Sequence, residues 1–92
     1  MKLERSRRAG KKYDAIFEMP NGRSKRVSFG ATGYQDFTIH HDKARRARYI
    51  QRHSRREAFT DPTKPGTLSR YILWEGPTVS GSLKAYKRRF HV

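Results

Sequence analysis

The residues best placed to do chemistry lie between Ile39 and Arg56, a run without Gly or Pro that carries seven cations from Lys43 to Arg56. Its Arg and Ala content predicts a helix, with Asp42 capping the first turn. At 100° per residue, Arg45, Arg48, Arg52, Arg55 and Arg56 share a narrow arc, and Ala47, Ile50 and Ser54 lie opposite as a thin apolar seam. Like charges at i,i+4 repel, and an anionic partner relieves that repulsion. A face that is merely solvated normally mixes Lys with Glu, and this one has almost no acid. The chemistry indicated is phosphate or carboxylate binding by planar guanidinium forks.

The same run holds the one cluster that suggests catalysis, His40-His41-Asp42 with His53. On a helix starting at Asp42, His53 stands roughly 16 Å along the axis from the other two, too far for one metal site. The spaced ligand set of a Zn or Mg centre is not in the sequence. Ser69 has no evident base, and the glycines build no phosphate-cradling loop followed by Lys-Ser/Thr. The reading is therefore non-enzymatic, without metal or cofactor.

The remaining elements must position that helix. The 92 residues suffice for one small domain, with 34% hydrophobic and 33% charged residues and eleven aromatics to fill a two-layer core. Twenty-two Lys and Arg against eight Asp and Glu give +14, which favours nucleic acid, anionic surfaces or acidic proteins. Cysteine is absent, so disulfides and thiolate metal sites are excluded. The short apolar runs predict no membrane span, and the basic N-terminus lacks the apolar stretch of a secretory signal.

Residues 1–12, with six cations and one acid, read as a flexible basic arm that orders on binding; residues 13–92 read as a single α+β domain. Tyr13 to Phe29 reads as an antiparallel hairpin. A three-residue loop with Gly22 left-handed pairs Tyr13 with Phe29 and Ala15 with Val27, keeping one apolar face. A two-residue Asn-Gly turn would split the apolar sets between faces. Phe37-Thr38-Ile39 is a candidate third strand. The segment 59–66 is a loop, Thr67 is expected to cap a helix from Leu68 to Glu75, and Ser80 or Ser82 to cap a last helix through Phe90. The Arg-rich helix and the two C-terminal helices are expected to cover one face of the sheet. Tyr71, Trp74 and Phe90 are expected in the core, and Tyr34, in a Gly-rich loop, is the aromatic expected to be exposed.

Several stretches in one order carry a resemblance: Ser28-Phe29-Gly30, Asp36-Phe37-Thr38-Ile39-His40, Arg48-Tyr49-Ile50-Gln51-Arg52-His53, Asp61-Pro62, Leu68-Ser69-Arg70-Tyr71-Ile72-Leu73-Trp74 and Tyr86-Lys87-Arg88-Arg89-Phe90. From about Lys12 to Phe90 the chain resembles the small basic proteins of unassigned function encoded by nucleocytoplasmic large DNA viruses of algae and amoebae. The resemblance implies a setting rather than an activity: a virion, or the host cytoplasm or nucleus during infection. The primary expectation is a DNA-binding or DNA-condensing protein that meets double-stranded DNA through phosphates, without reading sequence. The expected contacts are Arg45, Arg48, Arg52, Arg55 and Arg56, joined by Arg7, Arg8, Lys11 and Lys12 of the arm. Arg23, Lys25 and Arg26 at the hairpin tip and Lys87, Arg88 and Arg89 near the C-terminus complete the set. The second expectation is a minor capsid or scaffold protein whose cations meet acidic faces of capsid proteins. RNA binding of a ribosomal kind, or modulation of host proteins, follows.

Overall fold

A computed structural model describes the whole chain, Met1–Val92. Three antiparallel strands, β1 (Lys2–Arg5), β2 (Lys11–Glu18) and β3 (Ser24–Ala31), form a sheet in the order β1-β2-β3. Helices follow: α1 (Phe37–His40), α2 (Lys43–Ser54), α3 (Pro65–Leu68), which runs on into a π-helical turn (Ser69–Leu73), and α4 (Val79–Phe90). This is an α+β fold.

The hairpin has the expected register, with Tyr13 opposite Phe29 and Ala15 opposite Val27. Met19 N donates to the Arg23 carbonyl at 2.8 Å, and Gly22 takes φ +80° within the three-residue loop, a backbone angle that an L side chain resists. The period-two alternation then puts Ala15, Phe17, Val27 and Phe29 on one buried face. Leu68, Ile72 and Leu73 pack on it from α3 and the π-helical turn, and Tyr86 from α4. The Tyr86 hydroxyl donates to the Pro62 carbonyl at 2.7 Å, so this wholly buried ring keeps its polar atom satisfied. Gly30 lets the layers close: a Cβ there would stand 2.8 Å from Leu73 Cδ1.

Residues 2–5 correct the expectation of a flexible arm. Lys2–Arg5 pairs with β2, with Leu3 opposite Ala15 and Glu4 opposite Asp14. The reason lies on the far face of the sheet, where Glu4, Asp14 and Ser28 stand in one row across three strands. Asp14 is buried and accepts from the Ser6 and Ser28 hydroxyls, each at 2.6 Å, from Arg26 Nη1 at 2.9 Å and from the Arg7 backbone N–H at 3.4 Å. Arg26 also reaches Glu4 at 3.2 Å. Buried polar groups must be paired, and β1 with its following turn supplies part of that pairing.

Those donors hold the Asp14 carboxyl well below the usual carboxylate range, Ser28 and Ser6 foremost, with burial opposing them and Arg26 and Arg7 adding to them. The folded-state pKa is thus depressed below the unfolded value of about 3.9. The stabilisation is complete above that value and is lost as pH falls through it toward the folded pKa. Chemical denaturation at a series of pH values is expected to show wild-type stability falling steeply below about pH 4, and Asp14→Asn to flatten that fall. Parallel pH curves for the two proteins would remove Asp14 from the acid response.

Other boundaries differ from the sequence reading. Phe37-Thr38-Ile39 is helical rather than a strand, because Asp36 caps it, accepting from Thr38 N at 2.9 Å and from the Thr38 hydroxyl. His41 is left-handed at φ +53° and separates α1 from α2, which starts at Lys43 directly after Asp42, where the sequence places it. Asp42 does cap α2, accepting from Ala44 N and Arg45 N at 3.0 and 3.1 Å. Thr67 is no cap but lies buried within α3, which starts with Pro65 in its first turn. Thr78, not Ser80 or Ser82, caps α4, accepting from Gly81 N, while the buried Ser82 hydroxyl accepts from Gly76 N.

Candidate nucleic-acid interface

Helix α2 buries none of its residues fully. Its half-buried face is Arg46, Tyr49, Ile50 and His53, rather than the expected seam, of which Ala47 and Ser54 are exposed. The spacing i, i+3, i+4, i+7 makes one stripe, and three tertiary contacts hold it. Tyr49 stacks on Trp74 with ring centroids 4.2 Å apart and planes 6° from parallel, and His53 stacks on the other side of Tyr49 at 4.0 Å. Arg46 lies 4.5 Å from the Phe37 ring centroid and donates to the Glu75 carbonyl at 2.8 Å. Burial pushes the Tyr49 hydroxyl up to about 12, helped by the charge of Glu57. The π-helical turn makes this docking possible, with Trp74 N donating to the Ser69 carbonyl at 3.1 Å. Its wider turn lets Ile72 and Leu73 face the sheet while Trp74 faces α2. Trp74, Tyr71 and Phe90 are consequently half-buried at the margin of the core rather than within it.

With that face inward, Arg45, Arg48, Arg52 and Arg55 are exposed along the outside of α2 and its C-terminal cap, and Arg56 follows in the next turn. Arg48, Gln51, Arg52 and Arg55 line a shallow polar groove of about 330 Å³. The ion pairs of the chain are Lys12–Asp36, Arg26–Asp14, Arg26–Glu4 and Arg70–Glu75. None of them uses an arginine of α2. The Arg45 guanidinium donates to the Gln35 side-chain oxygen at 3.4 Å.

The other expected contact residues divide. Lys11 lies at the end of β2 next to α2 and lines a groove with Arg5 and Tyr13; Arg7 and Arg8 are exposed in the turn before it. Lys12 is not free: its ammonium donates to Asp36 at 2.7 Å and to the Tyr34 carbonyl at 2.6 Å, tying β2 to the loop before α1. Arg26 is likewise consumed by Asp14 and Glu4. Arg23 and Lys25 belong to the hairpin tip, at the far end of an eight-residue strand and so roughly 23 Å from Lys11. Lys25 there reaches the Thr63 hydroxyl at 3.3 Å. Lys87, Arg88 and Arg89 are exposed on the last turn of α4, with Arg89 over the Tyr71 ring at 4.4 Å. The fold thus gathers Arg45, Arg48, Arg52, Arg55 and Lys11 into one region and leaves the tip and the α4 cations outside it. Arg5 is a cation of that region that the sequence reading passed over; its pairing with Tyr13 in the sheet brings it there.

The arrangement defines a small α+β protein whose Arg-rich helix is docked by an aromatic stack and leaves its guanidinium ridge open. The chain belongs to a family of unknown function, DUF5754, whose model matches residues 1–53, the sheet through nearly all of α2. Neither a curated protein nor a solved structure matches it. No helix is long and apolar enough to cross a membrane.

Proposed function

We propose that the protein is a non-enzymatic, sequence-independent nucleic-acid-binding protein that holds duplex DNA by its phosphates through the outer face of α2. The observation that carries this is the clustering of four exposed guanidiniums, none with an acidic partner, along the outer face of one helix and its cap. A twelve-residue helix is about 18 Å long and runs beside roughly five phosphates of one strand. The resemblance to small basic proteins of large DNA viruses adds a setting, a genome to be packaged, and rests on sequence motifs alone.

Salt-titrated binding to a generic duplex, with heparin as competitor, tests the proposal. Four neutralised phosphates predict that log affinity falls with log salt at a slope of roughly −3.6, with little dependence on sequence. Weak, salt-insensitive binding at physiological ionic strength would overturn it and turn attention to acidic protein faces, such as those of capsid proteins.

A further inference from the structure

The largest cleft, of about 590 Å³, opens where α2, the Lys11 end of the sheet and the segment 57–74 meet. That volume lies within the range of small-ligand sites. Its walls combine three chemistries that a simple phosphate ridge does not need.

The first is cationic: Lys11, Arg45 and Arg52 line the cleft. The second is aromatic. Tyr49 and Trp74 spend their faces on each other, but Tyr34, on the same cleft, is 74% exposed and the most exposed large hydrophobic side chain of the protein. It is not on a loose loop. Lys12 holds its carbonyl and Arg45 reaches the neighbouring Gln35 side chain, so the backbone of Tyr34 is tethered beside the cations while its ring stands largely open to solvent. The third is acidic. Glu57 alone of the eight carboxylates has neither an ion pair nor a hydrogen bond, and its Oε2 is buried without a partner. Its Oε2 is shut off against Gly66, where an added Cβ would stand 1.8 Å from it, so Glu57 serves the cleft as a negative charge that turns phosphate toward the cations.

We propose that this cleft takes an unpaired nucleobase of a single-stranded nucleic acid. Its ring stacks on Tyr34, and the flanking phosphates lie on Lys11, Arg45 and Arg52. The inference rests on the phosphate-binding reading of α2 and adds the kind of strand preferred beside it. Bases within a duplex are stacked on each other and cannot use Tyr34, whereas every unpaired base has a π-face to offer. A polyanion without bases uses only the cations.

The test measures affinity for a labelled single strand of about eight nucleotides, the matching duplex and heparin, using wild type, Tyr34→Ala and Tyr34→Phe. Tyr34→Ala is expected to weaken single-strand binding roughly 5- to 150-fold while leaving duplex and heparin binding and the melting temperature unchanged; Tyr34→Phe retains the affinity. The emission of Trp74, the only tryptophan, is expected to change with the single strand and not with heparin. Single-strand affinity unchanged by Tyr34→Ala, or an equal loss for all three ligands, would overturn the base site. If duplex and heparin then still bind with a steep salt slope, the phosphate ridge stands without it. If none of the three binds, both readings fall.

Discussion

Arg48→Glu combined with Arg52→Glu is expected to lower duplex affinity on the order of 100-fold or more and to reduce the magnitude of the salt slope by about two. Both side chains are exposed on the outside of α2, and neither is in an ion pair. The fold does not use them, so the variant keeps its circular dichroism and melting temperature, and the change in affinity reports the interface. Each reversal deletes a charge-assisted contact and adds repulsion against the same phosphate. Arg23→Glu with Lys25→Glu, the same change at the hairpin tip, is the comparison: a small uniform loss is expected there. Equal losses from the two pairs would mean that net charge, not the α2 ridge, sets affinity, and an unchanged slope would remove α2 from the interface.

Trp74→Ala is expected to cost about 3 kcal/mol, with the loss concentrated in α2. The Trp74 ring is the surface on which Tyr49 rests, and a helix that buries no residue fully has few other holds. Without the ring, Tyr49 and His53 lose the far side of their stack. Arg46 keeps only Phe37 and the Glu75 carbonyl, and α2 alone is too short to persist in water. Hydrogen exchange is expected to show the amides of Arg46 to Ser54 losing protection while those of β2 and β3 keep theirs. Uniform loss of protection across sheet and helix would show that Trp74 supports the whole core rather than the docking of α2. Trp74→Phe, which keeps a flat apolar ring, is expected to recover most of the stability.

The hairpin and the core of α2 were legible in the sequence because their causes are local. The Pro20-Asn21-Gly22 loop and a period of two dictate the register of β2 on β3, since the alternative turn moves one apolar set into water. Arg, Ala and the Asp42 cap dictate α2 from within their own turn. The inward face of α2 was less legible. Of the seam read from the wheel only Ile50 is half-buried, and the specific contacts go to Arg46, Tyr49 and His53, whose flat groups have Trp74, Phe37 and each other to lie on. The pair Tyr49 and His53, four residues apart, was the signal available in the chain.

What the sequence determined by itself was the sign and abundance of charge, the hairpin, and a helix dense in arginine. Which cations are free to meet a partner was decided only in three dimensions. Lys12 and Arg26 look no different in sequence from Lys11 and Arg45. One is paired with Asp36, 24 residues on, and the other with Asp14, 12 residues back and on the neighbouring strand. The docking of α2 and the ordering of residues 2–5 have the same origin. Each depends on a group far along the chain, Trp74 in one case and Asp14 in the other. Periodicity and propensity describe a residue's neighbours in sequence, whereas ion pairing, stacking and the satisfaction of a buried carboxylate depend on its neighbours in space.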